Sequence, residues 1–332
     1  MQNAHKTPTV TTRLLQNASL IDGSGAPAYS CDILIQGDRI VKIASHIDAN
    51  DGGANDIVNC QGLTLTPGFI DVHTHDDAQV LRDPQMLAKI SQGVTTVITG
   101  NCGLSLVPWV TQNPISPLDL LHTTEFKYPS LKSYASAIEA AKPSVNVAAL
   151  IGHTTLRAST MKDLNQPASD AEIASMAMHL TQAMQDGALG LSSGLFYQPA
   201  AAAEAEEMKA LTRVVGQHGG VYVTHMRSEM DSILDAMHEA ADTAKAGRTP
   251  WILSHHKCAG PKNWGRTIET LALLDKLAKT QEIGLDAYPY NAGSTLLRSD
   301  LVDGVIQILI TRSEPHPEMV GRYLEDIASE WG

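Results

Sequence analysis

The chain has 332 residues, 43% hydrophobic and 18% charged, an ordinary globular composition with room for one large domain or two smaller ones. Its formal net charge of -12 argues against a nucleic-acid or anionic-membrane surface and suits a cytoplasmic protein. The N-terminus lacks a signal-peptide core, no run approaches the ~18 apolar residues of a membrane span, and four scattered cysteines without a CxxC fit reduced thiols.

Residues 1–66 read as a small β-sandwich domain. The runs 13–22, 31–43 and 57–67 are short and alternating, and Gly, Asp and Asn turn signals separate them. Residues 67–332 read differently. Strand patterns at 64–75, 94–102, 145–153, 188–195, 221–226, 251–257 and 283–290 alternate with helical patterns that include 170–186, 204–218, 228–246 and 267–281. The first of these helices opens on SDAE (169–172), a capping box, and the second stops at Gly219-Gly220. Seven near-continuously apolar strands in series with helices favour a (β/α)8 TIM-like barrel, with the eighth strand missing, over a doubly wound sheet. No phosphate-binding glycine motif follows the first strand.

In such a barrel the chemistry gathers at the C-terminal strand ends. Strand one ends in PGFIDVHTHDD (67–77), where His73 and His75 share a face because strand side chains alternate. Strand two ends in Cys102, strand three in His153, strand five in His225, strand six in His255-His256-Lys257, and strand seven in Asp286, Tyr288 and Tyr290. An HxH pair, a cysteine and two further histidines at successive strand ends are hard to explain by packing. As thiolate and neutral imidazoles they form a borderline-soft set that favours zinc. Only one of His255 and His256 can face inward, and alternation places His255 on the face of Lys257, a candidate substrate contact. Cys31, Cys60 and Cys258 read as packing residues, and the helical His179, His218 and His238 receive no role.

The segments PGFIDVHTHDD (67–77), ISQGVTTVITGNCGLSLVP (90–108), GALGLSSGLFYQPAAAA (187–203), GGVYVTHMRSE (219–229), SHHKCAG (254–260) and LDAYPYNAGST (285–295) closely resemble the N-acyl-D-amino-acid deacylases of the amidohydrolase superfamily. The resemblance implies a metal-dependent barrel carrying a small β-sandwich. It implies one tight zinc on Cys102, His225 and His255, and a weaker second position at His73 and His75 with Cys102 bridging. It implies substrate or carbonyl contacts from Lys257 and Tyr288, and hydrolysis of N-acyl-D-amino acids, a small-molecule substrate class. His153 is a further candidate substrate residue. The family's carboxylate-binding arginine after strand seven falls at Gln307 by register, with Arg298 a nearby replacement. The family's general base is an aspartate ending strand eight. It is expected beyond Gly332, and on this view the chain is a C-terminally truncated, poorly soluble and weakly active member. Alternatives are a cyclic-amide hydrolase or dipeptidase, against which Cys102 argues, and an inactive metal-binding fragment.

Overall fold

A computed structural model describes residues 11–50, 53–299, 302 and 304–332. The chain divides into two compact units, the first ending at Phe69 and the second beginning at Ile70.

The first unit is a five-stranded sheet of β1 (Thr12–Leu20), β2 (Tyr29–Gln36), β3 (Arg39–Ala44), β4 (Asp56–Asn59) and β5 (Thr64–Leu65). The order is β3-β2-β1-β4, with β5 also on β1. The pairing of β1 with β2 slips by one residue between Leu15 and Ala18, where Asn17 takes φ 59°. A one-residue bulge exchanges the faces of a strand. Leu14 therefore packs with Leu34 and Ile47, whereas Leu20, of the same parity, joins Cys31 and Ile33 on the other face. Buried Asp32 accepts hydrogen bonds from the backbone N–H groups of Asn17 and Ile47 at 2.8 and 2.9 Å, fixing that bulge and the loop after β3.

The second unit opens with β6 (Phe69–Asp71), α1 (Gln79–Arg82), α2 (Leu87–Ile90) and β7 (Val94–Thr99). A hairpin of β8 (Trp109–Thr111) and β9 (Phe126–Tyr128) follows, then α3 (Leu131–Ala141), β10 (Asn146–Gly152), α4 (His153–Thr160) and α5 (Asp170–Gln185). The chain continues through β11 (Gly190–Gly194), α6 (Ala205–Gln217), β12 (Val221–His225), α7 (Ile233–Gly247), β13 (Trp251–Leu253), α8 (Thr267–Leu277), β14 (Ile283–Leu285) and α9 (Leu324–Trp331). Seven strands form one curled sheet, ordered β14-β13-β12-β11-β10-β7-β6, parallel from β7 to β14. This is the arrangement expected of a βα barrel. Residues 64–65, read as the start of the first barrel strand, pair instead with β1 of the small unit.

The capping box forms as the sequence predicts: the Glu172 N–H donates to Ser169 Oγ and the Ser169 N–H to Glu172 Oε2. The core lies between the sheet and its helices, with Trp251, Tyr222, Leu191, Leu211 and Met237 fully buried. Among the described residues no helix is long and apolar enough to cross a membrane.

Candidate metal centre

Four strands deliver histidine or cysteine to one end of the sheet, each by a different local device. Beyond β6, the Thr74 N–H and hydroxyl both donate to the Ile98 carbonyl of β7, at 3.2 and 2.9 Å. That turns Thr74 toward the neighbouring strand and leaves His73 and His75 together on the opposite side. Beyond β7, buried Asn101 donates through Nδ2 to the carbonyls of Ile98, Thr74 and Val72 at 3.0–3.4 Å, tying the cysteine loop to the HxH segment. Gly100 and Gly194 permit the loop to sink there. A Cβ on Gly194 would collide with the Cys102 carbonyl, and one on Gly100 with the Leu150 carbonyl. His225 closes β12 and is buried against Phe196 and Tyr197, with ring centroids 5.2 and 5.0 Å away.

His255 arrives differently from the sequence reading. Strand β13 ends at Leu253, so alternation no longer governs position 255. The residue takes φ 37°, a left-handed conformation that swings its ring toward Cys102. His256 is turned away onto α8, where Nε2 meets Thr270 Oγ1 at 2.8 Å.

The result is two triads that share one sulfur. In His73–His75–Cys102, and again in Cys102–His225–His255, the ligand atoms all lie within 4.8 Å of one another. Cys102 Sγ is 3.2 Å from His73 Nε2 and 3.5 Å from His255 Nε2. Burial opposes ionisation of the Cys102 thiol, yet the imidazoles of His225, His255, His73 and His75 around it hold its pKa well below the ordinary thiol value. Burial likewise disfavours a charged His73, but the Asp286 carboxylate and Cys102 outweigh it and push the ring up to about 10. Cys102 and Glu229 do the same for His255, to about 9, against its burial. For His225 burial prevails and the pKa falls.

These residues fit a soft divalent metal. Thiolate and imidazole are the donors zinc prefers. Both nitrogens of buried His225 and Nδ1 of His75 have no hydrogen-bond partner, the condition of a ring that faces an ion. Each of two other rings is held from behind by a carboxylate. His73 Nδ1 lies 3.3 Å from Asp286, and His255 Nδ1 lies 2.9 Å from Glu229 Oε1. Both contacts leave Nε2 pointing inward.

The remaining sequence candidates are placed as follows. Lys257 Nζ sits 2.7 Å from Glu229, donates to the His255 carbonyl at 3.0 Å, and lies 5.6 Å from the Tyr288 ring centre. Arg298 stacks its guanidinium 4.2 Å over Phe196, the ring that covers His225, and donates to the Phe196 carbonyl. His153 is not brought to the centre. It is fully buried at the start of α4, with Nε2 2.7 Å from Glu207 Oε1, and Arg157 forks onto the same carboxylate at 2.6–2.7 Å. The ring is enclosed by this ion network and stands apart from the cluster of Cys102, His225 and His255.

Sequence reasoning gave no role to Glu229, having placed it on a helix over 228–246. The helix begins only at Ile233, so Glu229 belongs to the loop after β12. The available signal was its position four residues beyond a strand-end histidine. A cavity of about 560 Å³ was also missed; it is lined by His75, Asp76, Gln79, Arg82, His122 and Arg312 among others. Its lining includes the guanidinium groups of Arg82 and Arg312, both of which meet His122.

A family model described as "Amidohydrolase family" matches residues 56–304. The D-aminoacylase of Alcaligenes xylosoxydans xylosoxydans is 45% identical over 320 residues, covering 96% of this chain and 66% of the relative. The N-acyl-D-aspartate deacylase of the same organism is 42% identical over 327 residues, covering 98% and 65%. The chain thus spans about two thirds of the length of the curated relatives it matches. Among solved structures, a D-aminoacylase described by its binuclear metal centre matches with a TM-score of 0.92 and 44% identity over 96% of this chain and 67% of that one. The N-acyl-D-glutamate deacylase of Bordetella bronchiseptica, complexed with zinc and a phosphonate mimic of the tetrahedral intermediate, matches at 0.91 and 37% over 98% and 68%.

Proposed function

The chain belongs to the amidohydrolase family, and from that premise we propose that it hydrolyses N-acyl-D-amino acids to a carboxylate and a free D-amino acid. The observation that carries this reading is the pair of triads sharing Cys102, whose donors suit zinc. Cys102, His225 and His255 would hold one ion tightly, and His73 and His75 would offer a second, weaker position through the same sulfur. A zinc ion held there would polarise the amide carbonyl and lower the pKa of the attacking water.

The protein's own groups would do the rest. Lys257, anchored on Glu229 beside Tyr288, is placed to donate to the substrate carbonyl, and Tyr288 to contact the same end of the molecule. The substrate's carboxylate would enter the cavity lined by His75, Arg82 and Arg312, with Arg298, stacked over Phe196, a second candidate to receive it. The relatives include a D-aminoacylase and deacylases of N-acyl-D-aspartate and N-acyl-D-glutamate, so a panel of side chains is the natural assay.

Protein that carries these residues together with the expected general base should release free amino acid from N-acetyl-D-amino acids and not from their L enantiomers. The activity should disappear on chelation and return with zinc. Equal rates on both enantiomers, or full activity in chelator, would overturn the assignment.

A further inference from the structure

Glu229 occupies an unusual junction. Its loop leaves β12 four residues after His225, and its carboxylate reaches the segment after β13 that carries His255 and Lys257. Oε1 lies 2.9 Å from His255 Nδ1, and the carboxylate lies 2.7 Å from Lys257 Nζ. The Glu229 backbone carbonyl also accepts from the Ala259 N–H at 2.7 Å, so main chain and side chain both lash these loops together. The side chain is buried, only 9% exposed.

His255 Nδ1 and Lys257 Nζ are themselves 3.1 Å apart. If Nε2 of His255 faces Cys102 and a metal, Nδ1 carries the ring's proton and cannot accept from the lysine. Two donors then confront each other, and only a doubly accepting group between them resolves the conflict. A carboxylate accepts from both; an amide must turn its own NH2 group toward one of them. We infer that Glu229 is a positioning residue which fixes the tautomer of His255 and aims Lys257 at the substrate, coupling metal retention to carbonyl contact. This rests on the hydrolase reading above.

The test compares wild type with Glu229→Gln and Glu229→Ala, using zinc alone and a competing chelator, so that it is independent of turnover. The inference predicts zinc affinity lowered about 10–100-fold in both variants. In zinc-loaded wild type, ¹⁵N spectra of the histidines should place the His255 proton on Nδ1. With zinc saturating, kcat should fall in both variants, because Lys257 loses its aim. Wild-type zinc affinity in both variants, or a His255 proton on Nε2, would overturn it. Glu229→Gln, nearly isosteric with the native side chain, keeps the test available if Glu229→Ala does not fold. Zinc-loaded protein that shows this tautomer and carries the expected general base, yet cleaves no N-acyl-D-amino acid, would instead refute the hydrolase reading and leave the positioning of His255 standing.

Discussion

Cys102 and His255 both hold left-handed backbone conformations, at φ 54° and 37°. Each costs of order 1–3 kcal/mol for a side-chain-bearing residue and persists only where surrounding structure insists on it. That is why the site was half legible in the sequence. The HxH pair, the cysteine and His225 follow from residue type at strand ends. The inward turn of His255 does not, because it depends on a backbone angle that alternation ignores. His153 shows the complementary point: a strand-end histidine can equally be buried in an ion network. There Glu207, opposed by its burial but held by His153 and Arg157, titrates near 2 rather than 4.5. A depressed carboxylate contributes stability that is present above its unfolded pKa and is lost as pH falls from about 4.5 toward 2. Glu207→Gln should therefore unfold about 3–5 kcal/mol more easily at neutral pH, leaving Arg157 buried and unpaired. The unfolding free energy taken from denaturant curves between pH 2 and pH 7 should depend less steeply on pH in the variant. An unchanged midpoint at neutral pH would contradict the account.

At the scale of elements, the order of strands and the helices α5, α6, α7 and α8 could be read from periodicity, since period and length separate buried strands from amphipathic helices. The hairpin of β8 and β9 and the helices α3 and α4 could not. The start of α7 was misread because Ser228, Glu229 and Met230 continue the helical pattern in composition. Tertiary partners claim Glu229 instead: its carboxylate meets His255 Nδ1 and Lys257 Nζ. The glycines of the strand ends carry a sharper consequence. Gly194→Ala would drive a methyl group into the Cys102 carbonyl, backbone that Asn101 holds from the other side. The variant should lose metal affinity at least tenfold while its far-ultraviolet circular dichroism stays native. A zinc titration indistinguishable from wild type would show that the loop has slack the structure denies it.

For the whole molecule, the fold matters because it converts sequence-distant residues into one cluster. His73 and His255 are far apart in the chain, yet their ring centroids lie 5.0 Å apart. Cys102 is the hinge of that arrangement: it belongs to both triads, and the imidazoles around it hold its thiol well below the ordinary pKa against its burial. The central claim is a metal centre organised on this sulfur. Titrating metal-free protein with cobalt(II), while following thiolate-to-metal charge-transfer absorption, tests it most directly. The account predicts a band that grows with the first equivalent of cobalt and vanishes in Cys102→Ser. No such band in the wild type, or an undiminished band in Cys102→Ser, would contradict it.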